Sequence, residues 1–135
     1  MPAALRSATD SSRALVLVVD DDSKFAGIVV RILQRAGYRC VTAESGDQAL
    51  LAVRDQQPDA IVLDVMIPPP TGIEVCRQLR AEGWPGGVIM VSARSSPADR
   101  ATAVAAGADT FLGKPFPLND LVAMVDKLTA RHRAD

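Results

Sequence analysis

The sequence contains no long apolar run. The longest one near its start, residues 14–19, has six residues, whereas a membrane-spanning helix needs about 20 and the apolar region of a signal peptide at least about seven. We therefore expect no membrane segment, no secretory leader and a cytoplasmic location.

Cysteine, histidine and net charge are also scarce. Cys40 and Cys76 lie far apart, without a cysteine or histidine at metal-ligand spacing, so we expect two reduced structural thiols. The single histidine, His132, lies in a polar stretch and is expected to be solvated. A net charge of −1 gives no basic surface for direct binding to DNA or to an anionic membrane.

What the sequence does have is enough apolar material for one domain. Its 135 residues are 48% hydrophobic and 23% charged, which is typical of a globular protein. We divide the chain into a mobile N-terminal arm (1–13), a folded domain (14–129) and a C-terminal tail (130–135).

Short apolar runs alternate with longer amphipathic segments along the folded part. The predicted strands cover 14–19, 38–43, 60–63, 88–91 and 110–112. The predicted helices cover 25–36, 45–54, 73–79, 98–106 and 118–128. This alternation indicates an α/β fold with a parallel sheet and helices on both faces.

Polar residues follow several of the predicted strands. They are Asp20, Asp21 and Asp22 after the first strand, Asp64 after the third, Ser92 after the fourth and Lys114 after the fifth. Taken singly, each has an ordinary explanation, because an aspartate after a strand is often a turn residue or a helix cap. We interpret Asp22 as such a cap. The coincidence at four strand ends nevertheless favours a site, since these ends meet at one edge of a parallel sheet.

The chemistry of this set points to phosphoryl transfer. Three close carboxylates, those of Asp20, Asp21 and Asp64, repel one another, and a hard cation such as Mg²⁺ would relieve that repulsion. Lys114 and Ser92 could each hold an oxygen of a phosphoryl group. Asp64, at the end of a middle strand, is then the predicted nucleophile.

At these residues the chain resembles the receiver family of two-component signalling. The similarity covers about residues 14–128. It is carried by four motifs together: VLVVDDD (16–22), AIVLDVMIPPPTG (60–72), VIMVSA (88–93) and FLGKPF (111–116).

The resemblance implies a flavodoxin-like receiver fold with strand order 2-1-3-4-5. It implies that Asp64 is the phosphorylation site and that Asp20 and Asp21 bind Mg²⁺, or alternatively Mn²⁺, together with Asp64 and the backbone carbonyl of Met66. By the same resemblance Lys114 is a catalytic partner of Asp64.

A switch is implied as well. Ser92 would turn toward the phosphoryl group and Phe111 would move inward as it does so. The surface formed by the fourth helix, fifth strand and fifth helix would then change, because added charge favours one of two states. The alternative for Phe111 is a plain core aromatic.

The partners implied are a sensor histidine kinase or a histidine phosphotransfer protein, and a downstream target protein. A homodimer through the fourth helix, fifth strand and fifth helix is also open. We expect no direct nucleic-acid or membrane contact and no enzymatic activity beyond the protein's own phosphorylation and dephosphorylation. The sequence leaves open whether the chain acts alone or within a longer regulator.

Four features depart from the family pattern. Thr71 replaces an acidic residue, residues 68–70 are three prolines, Met66 is apolar and Arg94 is long and cationic. We expect Thr71 to cap the following helix as the acid would. Because Met66 cannot orient a water molecule, we expect slow self-dephosphorylation.

Three other classes of protein agree less well with the sequence. Phosphatases and dehalogenases with a nucleophilic aspartate usually have a second aspartate two residues later, where this chain has Met66. A flavodoxin-like electron carrier needs a phosphate-binding loop after the first strand, where this chain has three aspartates. A receiver that only binds proteins, without phosphorylation, is disfavoured because the acceptor and metal positions are intact.

Overall fold

The computed structural model describes residues 13–134, in which five strands and five helices alternate. The strands are β1 (Leu15–Val19), β2 (Arg39–Ala43), β3 (Ala60–Asp64), β4 (Gly87–Ser92) and β5 (Thr110–Gly113). The helices are α1 (Ser23–Arg35), α2 (Gly46–Gln56), α3 (Gly72–Ala81), α4 (Pro97–Ala105) and α5 (Leu118–Ala134).

The strands form one parallel sheet in the order β2-β1-β3-β4-β5. This confirms the predicted α/β fold and strand order. The order reverses between β1 and β3, because the chain leaves β1 toward one edge of the sheet and fills the other side from β3 onward. Parallel α/β sheets bind their ligands at such a reversal, beyond the carboxyl ends of the strands.

Two hydrophobic layers hold the helices against the sheet. Helices α2, α3 and α4 pack on one face and helices α1 and α5 on the other. The three central strands β1, β3 and β4 are buried along their whole length, which explains their continuous apolar runs. Burying each Val, Leu or Ile side chain contributes roughly 1.5–3 kcal/mol, so the central strands form a stable base for whatever their ends carry.

Side-chain caps fix where the helices begin. Asp22 caps α1 and accepts hydrogen bonds from the backbone N–H groups of Lys24 and Phe25. Thr71 caps α3 in a reciprocal pair with Glu74, in which each side chain accepts a bond from the other's backbone N–H. Both caps were expected from the sequence, and Thr71 therefore does replace the usual acid at this position.

The ends of the folded unit differ from the sequence-based division. Apart from Arg13, the arm assigned to 1–13 lies outside the described residues. Helix α5 continues to Ala134, through the segment that was assigned to a tail from residue 130. No glycine or proline follows Leu128 in this segment, so no residue of that kind stops the helix there.

Both cysteines are free thiols. Cys76 is buried on α3 and donates to the Ala106 carbonyl at 3.3 Å, and burial raises its pKa. Cys40 is half-buried on β2, and burial raises its pKa to about 11. Thiols in this state are weak nucleophiles at neutral pH, which agrees with the structural role expected for them.

Between residues 13 and 134, every helix is either too short or too polar to cross a membrane.

Candidate phosphoryl-transfer site

Three carboxylates meet at the reversal point of the sheet. Asp20 and Asp21 follow β1 and Asp64 ends β3, and one oxygen from each lies within 4.8 Å of the others. Asp20 and Asp64 are buried, whereas Asp21 is exposed. The backbone pairing of β1 with β3 brings these residues together.

Lys114 provides the counter-charge. Its Nζ lies 3.1 Å from Asp20 Oδ2 and 3.3 Å from Asp64 Oδ2. The backbone of Lys114 is held beside the end of β4, because the Lys114 N–H donates to the Ser92 carbonyl at 2.8 Å. Lys114 reaches across the sheet edge from the end of β5 and joins two carboxylates that come from two other strands.

The remaining carboxylate oxygens of the buried pair accept bonds from the backbone. Asp20 Oδ1 accepts the Asp22 N–H at 2.8 Å, and Asp64 Oδ1 accepts the Met66 N–H at 2.9 Å. These bonds orient both carboxylates toward Lys114. One cation still faces three carboxylates, so the site carries surplus negative charge.

Burial and charge shift two pKa values in the site. Burial raises the pKa of Asp20, although the Asp22 N–H and Lys114 act against the rise, and the nearby charge of Asp64 adds to it. Burial by itself would lower the pKa of Lys114, but the hydrogen bond to Asp20 and the charge of Asp64 outweigh it, so the pKa of Lys114 is raised. Lys114 therefore stays protonated at neutral pH.

Ser92 and Phe111 lie beside a cavity at the same edge. Ser92 is buried at the end of β4, and its Oγ accepts the Arg94 N–H at 3.0 Å. Phe111 is 8% exposed on β5, and the Arg100 guanidinium lies 4.9 Å from its ring centroid. A cavity of about 180 Å³ lies between α3 and α4; its lining includes Ser92, Phe111, Thr102 and Met66.

The loop after Asp64 is packed tightly from the helix side. A Cβ on Gly72, the first residue of α3, would lie 2.4 Å from the Asp64 carbonyl oxygen, and one on Gly46, the first residue of α2, would lie 2.3 Å from the Pro70 carbonyl oxygen. Only glycine allows this approach of backbone to backbone. Met66, in contrast, is 51% exposed on this loop.

Sequence reasoning named the residues at the strand ends but missed their aromatic neighbour. The ring centroid of Phe25 lies 4.3 Å from Lys114 Nζ. The sequence pattern places Phe25 only at the start of a predicted helix. Its place three residues after the capping aspartate was the available signal, since a long side chain in the first turn of a helix points back toward the helix start.

Comparison with known proteins decides the family. A family model described as the response regulator receiver domain matches residues 16–126. The chain belongs to the receiver domain family. Response regulators of this kind act in two-component signalling, and their receiver domains generally interact with histidine kinases and bind Mg²⁺.

Individual relatives agree with this assignment. The response regulator MprA of Mycobacterium leprae is 42% identical over 120 residues, which cover 89% of this chain and 53% of that protein. The chain thus spans about half the length of the curated relatives it matches.

Solved structures of receiver domains match almost end to end. The receiver domain of the Francisella response regulator 1452 superposes with a TM-score of 0.85 at 32% identity, covering 88% of this chain and 98% of that one. The BeF3-activated DrrB receiver domain has a TM-score of 0.81 at 30% identity, covering 88% and 99%.

Proposed function

We propose that this receiver domain accepts a phosphoryl group on Asp64 and changes its partner-binding surface as a result. The observation that carries the proposal is the position of Lys114 Nζ, within 3.3 Å of both Asp20 and Asp64, in a cluster that also contains Asp21. A buried nucleophile, a fixed ammonium and surplus carboxylates are the groups that phosphoryl transfer requires.

In the proposed reaction a carboxylate oxygen of Asp64 attacks phosphorus. The bond from phosphorus to the donor breaks, and its electron pair leaves with the donor, which is a histidine nitrogen of a kinase or phosphotransfer protein. The product is an acyl phosphate on Asp64. Lys114 neutralises charge on the transferred group, and the Met66 N–H holds Asp64 in position for attack.

The donor set fits a hard divalent cation. Asp20, Asp21 and Asp64 supply carboxylate oxygens within 4.8 Å of one another, and the backbone carbonyl of Met66 is the further ligand we propose. Such oxygen ligands suit Mg²⁺, with Mn²⁺ as an alternative. When bound, the cation would neutralise negative charge that Lys114 alone leaves uncompensated.

The switch that we propose uses the cavity next to Phe111. Ser92 would exchange its bond from the Arg94 N–H for one to the phosphoryl group, and the ring of Phe111 would then move further into the space that Ser92 borders. The Arg100 guanidinium lies over this ring, so movement of the ring would change a contact made by α4. Phosphorylation acts by its different interaction with the two states.

The proposed partners follow from this chemistry. They are a sensor histidine kinase or a histidine phosphotransfer protein as donor, and a downstream protein that reads the surface of α4, β5 and α5. A homodimer through that surface is a further outcome for experiment. Direct nucleic-acid binding, membrane contact and turnover of any other substrate are not part of the proposal, and a cytoplasmic location remains a prediction.

Intact-mass spectrometry after incubation with acetyl phosphate and Mg²⁺ tests the proposal. Wild type is expected to gain one phosphoryl group, and Asp64→Asn none. Asp55→Asn, which removes an exposed carboxylate on α2, is the matched control and should behave as wild type. The same loss of labelling is expected when EDTA removes the cation. Labelling of Asp64→Asn to the wild-type extent would overturn the proposal.

A further inference from the structure

An aromatic ring contacts the ammonium group of Lys114. The Phe25 ring centroid lies 4.3 Å from Lys114 Nζ, well within the distance at which a cation is attracted to the face of a ring. The ammonium therefore has three contacts: Asp20, Asp64 and the ring of Phe25. The Lys114 side chain is only 22% exposed, so water competes little for these contacts.

The start of α1 fixes the position of this ring. The Asp22 side chain accepts the backbone N–H of Phe25 at 3.2 Å, so Phe25 occupies the last position of the capped first turn. The residue that caps the helix follows directly on Asp20 and Asp21. One short segment thus supplies both carboxylates and the ring that faces the lysine.

A second ring packs against the ring of Phe25. Phe116 follows Lys114 by two residues, and its ring meets the ring of Phe25 edge to face, with centroids 6.0 Å apart. Such pairs are favourable beyond the area they bury. The contact links α1 to the loop between β5 and α5, in which Lys114 itself lies.

We propose that Phe25 is a positioning residue for Lys114, which it holds in place for phosphoryl transfer. The inference rests on the proposed function of the site. Two of the three contacts of the ammonium, those with Asp20 and Phe25, do not involve Asp64. They remain available when Asp64 carries a phosphoryl group, and the N–H that now faces Asp64 is then free to bind a phosphoryl oxygen.

Leucine and tyrosine at position 25 separate this role from simple packing. Phe25→Leu keeps an apolar side chain but removes the ring face, and Phe25→Tyr keeps the ring. We expect Phe25→Leu to lower the rate of phosphorylation at saturating acetyl phosphate by about three- to tenfold. We expect the acetyl phosphate concentration at half-maximal rate to change less than the rate does. Phe25→Tyr should restore most of the rate.

A double-mutant cycle shows whether the effect passes through Lys114. In a Lys114→Gln background the additional Phe25→Leu change should alter phosphorylation less than about twofold, because the cation is already gone. The same cycle is measured with the affinity for beryllofluoride, a phosphoryl mimic that requires no turnover. Ile32→Ala, a partly buried residue about two turns further along α1, controls for lost packing and should leave the rate unchanged.

A readout that does not depend on phosphorylation is the NMR signal of the Lys114 side chain. The ring of Phe25 should shift the signals of the Lys114 Cε protons upfield in wild type and in Phe25→Tyr, and this shift should disappear in Phe25→Leu. An unchanged Lys114 signal in Phe25→Leu, or an equal loss of rate with and without Lys114, would overturn the inference. In either case Asp64-dependent labelling of wild type would show that the proposed function itself still holds.

Discussion

The carboxyl ends and the amino ends of the strands use the same residue types in opposite ways. At the carboxyl ends of the strands, three carboxylates face one lysine. At the amino ends, aspartates also stand beside strands, but they are matched by donors. Asp59 accepts the Leu15 N–H at 2.8 Å, and Asp109 accepts the Val88 N–H at 2.8 Å.

At the amino ends of the strands, which we call the amino-end edge, Arg80 makes a large set of side-chain contacts. Its guanidinium donates to the carbonyls of Gly107, Trp84 and Gly86 at 2.7–3.0 Å and to Asp109 at 3.1 Å. It also lies 5.5 Å from the ring centroid of Trp84. One cation therefore joins the turn before β4 to the turn before β5, and it donates four hydrogen bonds within the fold.

The difference distinguishes structure from function. Polar groups that serve the fold have partners in the fold, whereas a site that binds an external ligand keeps charge that only this ligand balances. The contacts at the amino ends of the strands are of the first kind, and the surplus negative charge at the carboxyl ends, the carboxyl-end edge, is the reason we propose a ligand site there. Substitutions at the two edges should therefore change stability in opposite directions.

The largest effect is expected at the amino-end edge. Arg80→Ala leaves three backbone carbonyls without their donor and should lower the free energy of unfolding by roughly 2–3 kcal/mol. Urea unfolding measures this loss. The phosphorylation rate of the folded variant should stay at the wild-type level, because Arg80 lies away from the site.

Arg54→Ala is the matched control for that experiment. Arg54 pairs with Glu82 at 2.9 Å near the same edge, but both side chains are well exposed. Exposed ion pairs contribute little, so the urea midpoint should not move. A similar loss for both arginines would show that Arg80 does not act through its carbonyl contacts.

Removing charge at the carboxyl-end edge should instead stabilise the protein. In EDTA, Asp20→Asn is expected to raise the free energy of unfolding by about 1 kcal/mol, because it removes a buried carboxylate that is repelled by Asp64. Asp109→Asn, the matched change at the other edge, should lower it. Binding of Mg²⁺ should be weakened by Asp20→Asn only.

The stabilisation expected from Asp20→Asn should grow as pH rises. Burial raises the pKa of Asp20 above its ordinary value of 3.8, so the native state holds this proton more tightly than the unfolded chain does. The contribution of Asp20 to stability is thus full below pH 3.8 and is lost as pH rises through the raised pKa. The advantage of Asp20→Asn in EDTA should appear over that interval and persist at pH 7. An advantage that is independent of pH would contradict the argument.

The smallest effect is expected on the rate at which Asp64 loses its phosphoryl group, which depends on Met66 at the carboxyl ends of the strands. Met66 is exposed and apolar and cannot orient a water molecule for attack on phosphorus. Met66→Asn should speed the loss of the phosphoryl group about threefold, which corresponds to about 0.6 kcal/mol in the barrier. In that reaction the water oxygen bonds to phosphorus and the bond to Asp64 breaks. Release of inorganic phosphate from labelled protein measures the rate, and no acceleration would refute the role of Met66.

Much of the fold could be predicted because parallel strands carry continuous apolar runs. The same regularity brings the residues that follow the strands to one edge, which is why Asp20, Asp64 and Lys114 could be grouped before any contact was known. The caps formed by Asp22 and Thr71 depend only on neighbouring residues, so local sequence was sufficient for them as well.

The contacts of Phe25 with Lys114 and of Arg80 with Gly107 could not be predicted, because they join segments distant in sequence. The ring of Phe25 meets Lys114 across 89 positions in the chain, and Arg80 meets Gly107 across 27. Each pairing depends on how α1 and α3 settle against the sheet, which local periodicity does not specify. The end of α5 at Ala134 was missed because neither a glycine nor a proline marks where the helix ends.

The glycines at the starts of α2 and α3 allow these helices to pack tightly against one side of the loop after Asp64. Backbone lies directly against backbone at Gly46 and Gly72, so this side has no slack to absorb movement. The opposite flank, at Ser92, borders empty space. A group added to Asp64 is therefore expected to move the surrounding residues in one direction only, toward α4. The surface that changes on phosphorylation is then set by the side on which the packing is loose.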